Sequence, residues 1–239
     1  MRRRRFDAGM SVKARTPKAY DRSVETARRL VKPKLRGVFH EVGFYAAAVV
    51  GIVVGVTAEP GRARTAAVIF ASCVAFCFGA SALYHRPTWR PRARAWLARL
   101  DHAGVYLLIA GSYAPFGLIV LSRGWAIPVL AVIWGGAFLA IVMKLFWVHA
   151  PKWLSAAIGL TLGWVGAVVF PQLLKLSLVA ILLIVATGLL YTVGAVVYAR
   201  RRPDPRPEVF GYHELFHVLT LAAVACEYVV VVFYVLPRA

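Results

Sequence analysis

Seven apolar stretches, each about as long as a membrane-spanning helix, are separated only by short polar segments. The hydrocarbon core of a bilayer is about 30 Å thick, so a helix rising about 1.5 Å per residue needs about 20 mostly apolar residues to cross it. The sequence is 60% hydrophobic, and its mean hydropathy is +0.68. We therefore predict an all-α, polytopic membrane protein, a bundle of seven transmembrane helices (spans 1 to 7) at residues 42–58, 66–84, 103–121, 125–143, 153–170, 176–199 and 214–236.

The net charge of +19 is distributed along the chain in a pattern that orients a membrane protein. Thirteen of the 29 lysine and arginine residues lie within the first 36 residues, and most of the others fall between the apolar stretches. If the N-terminus is cytoplasmic, the inside segments hold 24 of these residues and the outside segments hold five. The positive-inside rule then places the N-terminus in the cytoplasm and the C-terminus outside, in the cell inner (plasma) membrane. We expect no nucleic acid partner, because the charge does not form one basic face.

The charge pattern divides the chain into two parts. Residues 1–40 form a basic cytoplasmic segment, and residues 41–239 form the transmembrane domain. Residues 17–31 place apolar side chains at helical spacing among arginines, as in an amphipathic helix that lies on anionic inner-leaflet lipids. A disordered basic tail that only sets the orientation fits the same pattern equally well.

Chemically active side chains gather, in this topology, at the cytoplasmic ends of three spans. Ionisable groups inside or at the edge of a span are costly, so they mark candidate functional sites. His40 and His149 lie in juxtamembrane regions, where we expect them to be solvated. The clustered residues are Ser81 and His85 at the end of span 2, Asp101 and His102 at the opening of span 3, and His213 and His217 at the start of span 7.

Three of these histidines predict a zinc site. His213 and His217 are four residues apart, so both imidazoles face one side of a helix, and His85 supplies a third nitrogen. Three protein ligands leave the fourth tetrahedral position open for water, as in catalytic sites, and zinc lowers the pKa of such a water toward about 7. Asp101 is then placed to act as the general base or to orient a ligand, and Ser81 to donate to a bound carbonyl.

The histidine pair of span 7 also matches H-E-x-x-H, the metalloprotease pattern in which the glutamate is the general base. Intramembrane metalloproteases usually carry a third, acidic ligand on a later helix. Here Glu227 is the only acid after His217, about 15 Å further along the same helix, which is too far to reach the site. Glu214 is therefore not assigned as a catalytic base. His102, about 100° round the helix from Asp101, is assigned to packing or to support of a ligand.

Three stretches of the sequence carry a specific family pattern: Ser81-Ala-Leu-Tyr-His85, residues 100–115 and residues 210–217. They resemble the hemolysin III branch of the progestin and adipoQ receptor (PAQR) family, which is related to the alkaline ceramidases. The resemblance implies a seven-helix fold with an inside N-terminus. It also implies zinc held by His85, His213 and His217, with Asp101 and Ser81 contacting a zinc-bound water. The start of span 1 departs from the family pattern, because Glu41-Val-Gly-Phe-Tyr-Ala-Ala-Ala48 replaces a Glu-x-x-Asn-x-x-Thr-His stretch.

A zinc site beside a carboxylate in a lipid-facing bundle predicts hydrolysis of a lipid amide or ester. The resemblance implies ceramide-like amides, or another acyl lipid, so that the partner is a membrane lipid or a fatty acid. Two non-enzymatic functions are alternatives. One is a pore-forming haemolysin or cytolysin, and the other is a sensor or regulator of membrane lipid state in which zinc only joins helices. An intramembrane metalloprotease is a further alternative.

Overall fold

In a computed structural model, which describes residues 32–239, the chain is all-helical. The segment at residues 17–31 lies outside the described residues, as does most of the predicted basic segment 1–40. Within the described part of the chain, the secondary structure other than helices and turns is one isolated bridge between Arg206 and Phe210. The main helices are α1 (Val38–Thr57), α2 (Arg62–His85), α3 (Pro91–Pro115), α4 (Arg123–Phe146), α5 (Lys152–Trp164), α6 (Leu178–Arg200) and α7 (Tyr212–Val230).

Six of these helices, all except α5, are long and apolar enough to cross a membrane. Two of them are extended by irregular turns: α3 continues into a π turn at Phe116–Val120, and α7 continues into a π turn at Val231–Val235. The predicted fifth span is broken. Helix α5 is 13 residues long, and a 3₁₀ turn at Val165–Ala167 and a four-residue helix at Phe170–Leu173 follow it. The hydropathy predicts a continuous helix over residues 153–170, and this prediction is therefore wrong.

Helix α3 begins further upstream than the sequence predicts. Asp101 and His102 were expected to open this helix, but α3 starts at Pro91 and carries both residues in its interior. Pro91 stands at the first position of the helix, where a proline costs nothing because its missing N–H would be unpaired anyway. Hydropathy marks the part of a helix that enters lipid, and the basic first turns of α3 extend beyond that part.

The helices pack with α2 and α3 in the interior and with α1, α4 and α6 exposed along much of their length. Helices α2 and α3 approach closely at Gly104, where a Cβ atom would lie only 2.9 Å from the Cα of Cys77. Large apolar side chains cover the outer surfaces of the exposed helices, as expected for faces in contact with lipid. Examples are Val49, Ile52, Phe138, Leu139, Leu182 and Leu189.

Candidate metal centre

Three histidines from two helices converge at one end of the bundle. His85 is the last residue of α2, and His213 and His217 lie in the first two turns of α7, as the sequence predicts. One ligand atom from each of the three lies within 4.8 Å of the others. His213 Nε2 and His85 Nε2 are 3.1 Å apart. Two nitrogens on one tetrahedral zinc lie roughly 3.3 Å apart, given bonds of about 2.0–2.1 Å, so this donor set fits a single zinc ion.

Asp101 and Ser81 lie beside the three histidines. Asp101 Oδ2 is 3.5 Å from His85 Nε2, and both side chains are buried. Ser81 stands one turn before His85 on α2 and is buried beside the Asp101 carboxyl group. A hydroxyl both donates and accepts hydrogen bonds, so it can also contact a ligand or a water molecule. The structure thus brings together the five residues that the sequence singled out.

His40 belongs to this cluster, and the prediction that it is solvated is wrong. Its ring is 3% exposed and stacks on the ring of His217, with centroids 3.7 Å apart and planes 4° from parallel. Neither of its nitrogens has a hydrogen-bond partner among the described residues. The signal was present in the sequence, since the predicted topology puts His40 at the same end of the bundle as the other histidines, but the hydropathy boundary placed it outside span 1. His149, by contrast, is exposed as predicted.

Glu214, the glutamate of the H-E-x-x-H pattern, has a structural role at the start of α7. Its side chain is fully buried, accepts the backbone N–H of Gly211 at 2.8 Å, and forms an ion pair with Arg36. A carboxylate at a helix N-terminus also interacts favourably with the helix dipole. These contacts occupy the carboxylate at the start of the helix.

The segment just before α1 packs over the histidine end of the bundle. The backbone N–H groups of Lys34 and Leu35 donate to the carbonyls of Glu208 and Val209, in the loop that precedes α7. Gly37 has a φ of +83°, and a Cβ there would lie 2.7 Å from the Cβ of His85. Only glycine combines this left-handed conformation with such a close approach. The segment therefore fixes the ends of α2 and α7, on which the histidines lie.

We expect Arg36→Met to destabilise the protein by about 3 kcal/mol, because it leaves the buried Glu214 carboxylate without its charge partner. The free energy of unfolding in detergent micelles measures this effect. Arg86→Met is the matched control, since Arg86 pairs with Glu41 at 2.6 Å on the exposed surface. Exposed pairs contribute at most about 1 kcal/mol. Equal losses in the two variants would contradict a special role for the buried pair.

His213 and His217 of the histidine cluster lie on the wall of a cavity of about 590 Å³, and residues from all seven helices line this cavity. One end of the cavity carries His40, Ser81, Asp101, His213 and His217. The remaining wall is largely apolar. The volume of the cavity falls in the range of small-molecule sites. Apolar lining residues on α3, α6, α7 and the connecting turns include Leu108, Ile109, Phe116, Leu173, Ile184 and Val230.

The lipid-facing helices and the buried histidine cluster define an integral membrane protein with a candidate metal centre at one end of an apolar cavity. A family model described as "Haemolysin-III related" matches residues 28–228, and the chain belongs to this family. The resemblance inferred from the sequence is thereby confirmed.

Named relatives extend from bacteria to animals. The chain is 35% identical to "Hemolysin-3" of Bacillus cereus over 152 residues, which cover 62% of this chain and 66% of the relative. It is 30% identical to "Hemolysin-3 homolog" of Bacillus subtilis (strain 168) over 167 residues, 70% of this chain and 75% of the relative. An "Adiponectin receptor protein" of Drosophila melanogaster is 29% identical over 174 residues, 64% of this chain and 38% of that protein.

Proposed function

We propose that this protein is a zinc-dependent hydrolase that cleaves an amide or ester bond of a membrane lipid. One observation carries the proposal: His213, His217 and Asp101 lie on the wall of a largely apolar cavity of about 590 Å³, and the third histidine, His85, completes the donor set beside them. An acyl chain fits the apolar part of such a cavity, and its carbonyl group would then lie at the polar end. The cavity is therefore suited to one acyl chain of an amphiphilic lipid.

His85, His213 and His217 would hold the zinc ion. When bound there, zinc supplies Lewis acidity, which polarises a carbonyl group and lowers the pKa of water. The Asp101 carboxylate, 3.5 Å from His85 Nε2, is placed to accept the proton of the attacking water and to return it to the leaving group. The Ser81 hydroxyl, buried beside Asp101, would donate to the carbonyl oxygen.

The experiment uses the full-length protein in detergent micelles with a ceramide and a diacyl phospholipid as substrates. We expect release of fatty acid from at least one of them by zinc-loaded protein. Chelation should slow that release at least about 100-fold, and added zinc should restore it, because the metal supplies the electrophile. Release that continues unchanged after complete removal of metal would contradict the proposal, as would the absence of release from both classes of lipid.

The names of the two Bacillus relatives favour a second candidate function, the lysis of a target membrane. Leakage of a trapped dye from liposomes measures it directly. If the protein is a hydrolase, leakage should depend on metal and should follow the release of fatty acid. Leakage that is independent of metal and occurs without hydrolysis would favour a pore.

We also propose that the chain crosses the plasma membrane seven times, with its N-terminus in the cytoplasm. Helix α5 alone is about 20 Å long, shorter than the hydrocarbon core of about 30 Å. Residues 152–173, which include the 3₁₀ turn and the short helix, would complete the fifth crossing. In this topology the histidine end faces the cytoplasm, where the basic N-terminal segment contacts anionic lipids.

Reporter fusions to the two ends of the chain test this topology. We expect a fluorescent protein fused before residue 1 to fold in the cytoplasm, and alkaline phosphatase fused after residue 239 to be active outside it. The expected result follows from the 24 cationic residues that this orientation keeps inside. Six crossings would place both ends on the same side, so an inactive phosphatase fusion at the C-terminus would contradict the proposed count.

A further inference from the structure

A second group of polar side chains lies on the cavity wall, away from the histidine cluster. Helices α3, α6 and α7 contribute Ser112, Tyr191 and Glu227 to it. Glu227 is 6% exposed, and its Oε2 lies 3.5 Å from the hydroxyl of Tyr191, at the outer limit of a hydrogen bond. Ser112 lies beside the same carboxyl group on the cavity wall. A carboxylate has about four acceptor positions, so this polar group, the Glu227 site, keeps acceptor capacity that the two hydroxyls do not fill.

The Glu227 site is costly if it stays incomplete. A carboxyl group in an apolar environment loses several kcal/mol of hydration unless hydrogen bonds replace the water, which is why polar groups inside membrane spans mark functional positions. Apolar side chains such as Ile184, Val185 and Val230 line the cavity on the same helices. Because the Glu227 carboxyl group lines the cavity, the molecule that occupies the cavity can provide a further hydrogen-bond partner for it.

The depth of the site sets where that partner lies on the occupant. Glu227 follows His217 by ten residues on α7, which corresponds to about 15 Å along the helix axis. An extended hydrocarbon chain, with C–C bonds of about 1.5 Å, advances roughly 1.25 Å per carbon, so the same distance spans roughly 12 carbons. A chain whose head lies at the histidines would thus present its carbons near position 12 to Glu227.

The three side chains also indicate the chemistry of the partner. A carboxylate only accepts hydrogen bonds, whereas the hydroxyls of Ser112 and Tyr191 both donate and accept. An ammonium group would carry a full charge and its donors into a largely apolar cavity, which is costly. A hydroxyl group donates to the carboxylate and accepts from a neighbouring hydroxyl, and is therefore the better complement.

We propose that the Glu227 site binds a hydroxyl group carried near carbon 12 of the acyl chain of the ligand. This inference rests on the proposed function, because it assumes that the head of the lipid lies at the histidine cluster. Under it, the protein acts preferentially on lipids with a hydroxylated acyl chain, and Glu227 determines this specificity.

Binding of two probes tests the inference without relying on hydrolysis. The full-length protein is titrated in detergent with octadecanoic acid and with 12-hydroxyoctadecanoic acid, and bound lipid is measured by native mass spectrometry. We expect the hydroxylated probe to bind about tenfold more tightly, the equivalent of one good hydrogen bond of about 1.4 kcal/mol. In Glu227→Leu the preference should fall below about twofold. The matched control, Glu59→Leu, changes an exposed glutamate and should keep the full preference.

Two further measurements separate recognition from packing. Ser112→Ala should lower the preference while leaving the unfolding temperature close to that of the wild type, since it removes one hydroxyl from the cavity wall and keeps the apolar part of the side chain. A 3-hydroxyoctadecanoic acid probe should bind no more tightly than octadecanoic acid, because its hydroxyl lies near the head. If Glu227→Leu does not fold, Ser112→Ala and the 3-hydroxy probe still show whether the Glu227 site recognises a hydroxyl group near carbon 12.

Equal binding of the two main probes to the wild type would overturn the inference, as would failure of the hydroxylated probe to bind. A preference that survives in Glu227→Leu would also overturn it, since Glu227 would then serve only to join α6 and α7. These outcomes are distinct from failure of the proposed function. A protein that hydrolyses lipids with no preference for the hydroxylated chain refutes only the Glu227 site, and a preference without hydrolysis refutes only the enzyme.

Discussion

Replacing His213 with alanine is expected to remove the metal and, with it, all lipid hydrolysis. His213 provides one of only three imidazoles whose ligand atoms lie within 4.8 Å of one another, and its Nε2 is 3.1 Å from that of His85. Loss of a residue that supports a ligand already weakens metal binding by about 10- to 100-fold, so loss of a ligand should exceed this range. Metal content of the purified protein, measured by mass spectrometry, should fall from about one zinc ion per chain to a trace.

His149→Ala is the control for this experiment. His149 is exposed and lies outside the cluster, so its loss should change neither the metal content nor the rate of hydrolysis. The proposal fails if His213→Ala retains a full equivalent of zinc, because the metal would then lie elsewhere. It also fails if the variant loses zinc and continues to release fatty acid.

Replacing Asp101 with asparagine is expected to keep the metal and to slow hydrolysis by about 10²- to 10⁴-fold, the usual contribution of a general base. Asparagine preserves the size of the side chain and its ability to hydrogen-bond, but it cannot accept the proton. The Asp101 carboxylate is buried and 3.5 Å from His85 Nε2, so no other carboxylate replaces it in this position among the described residues. The two measurements are the zinc content and the single-turnover rate of fatty acid release.

This variant also separates an enzyme from a sensor in which zinc only joins helices. A sensor needs the three histidines and would tolerate asparagine at position 101. Asp101→Asn protein that keeps its zinc and hydrolyses lipid at the wild-type rate would therefore contradict the role of Asp101 as the general base. Loss of both zinc and folding would instead assign Asp101 to support of the His85 ring.

The sequence predicted that the three histidines lie close together because the relevant signals are local. The i, i+4 spacing of His213 and His217 places them on one helix face, whatever the rest of the chain does. The excess of lysine and arginine in alternate loops then assigns the end of α2 and the start of α7 to the same side. His85 joins the pair by this reasoning alone, and the structure places it there.

Other features depended on how helices pack, which hydropathy does not encode. His40 was expected in water, yet it stacks on His217, because the tight turn at Gly37 brings the start of α1 against the end of α2. The break after α5 was also missed, since residues 165–169 are as apolar as a regular span. Glu227 was considered only for its distance from the histidines, although it lies on the cavity wall.

The sequence by itself determined the all-helical membrane fold and the three histidines, with Asp101 and Ser81 beside them. Hydropathy reports the transfer of each residue between water and lipid, and helical spacing reports the face on which it lies; both are properties of short stretches. The tertiary structure alone decided that His40 joins the cluster, that Arg36 reaches Glu214, and that an apolar cavity leads from the histidines to Glu227. These features arise between helices that are distant in the sequence, where packing and not local composition fixes the neighbours of each side chain.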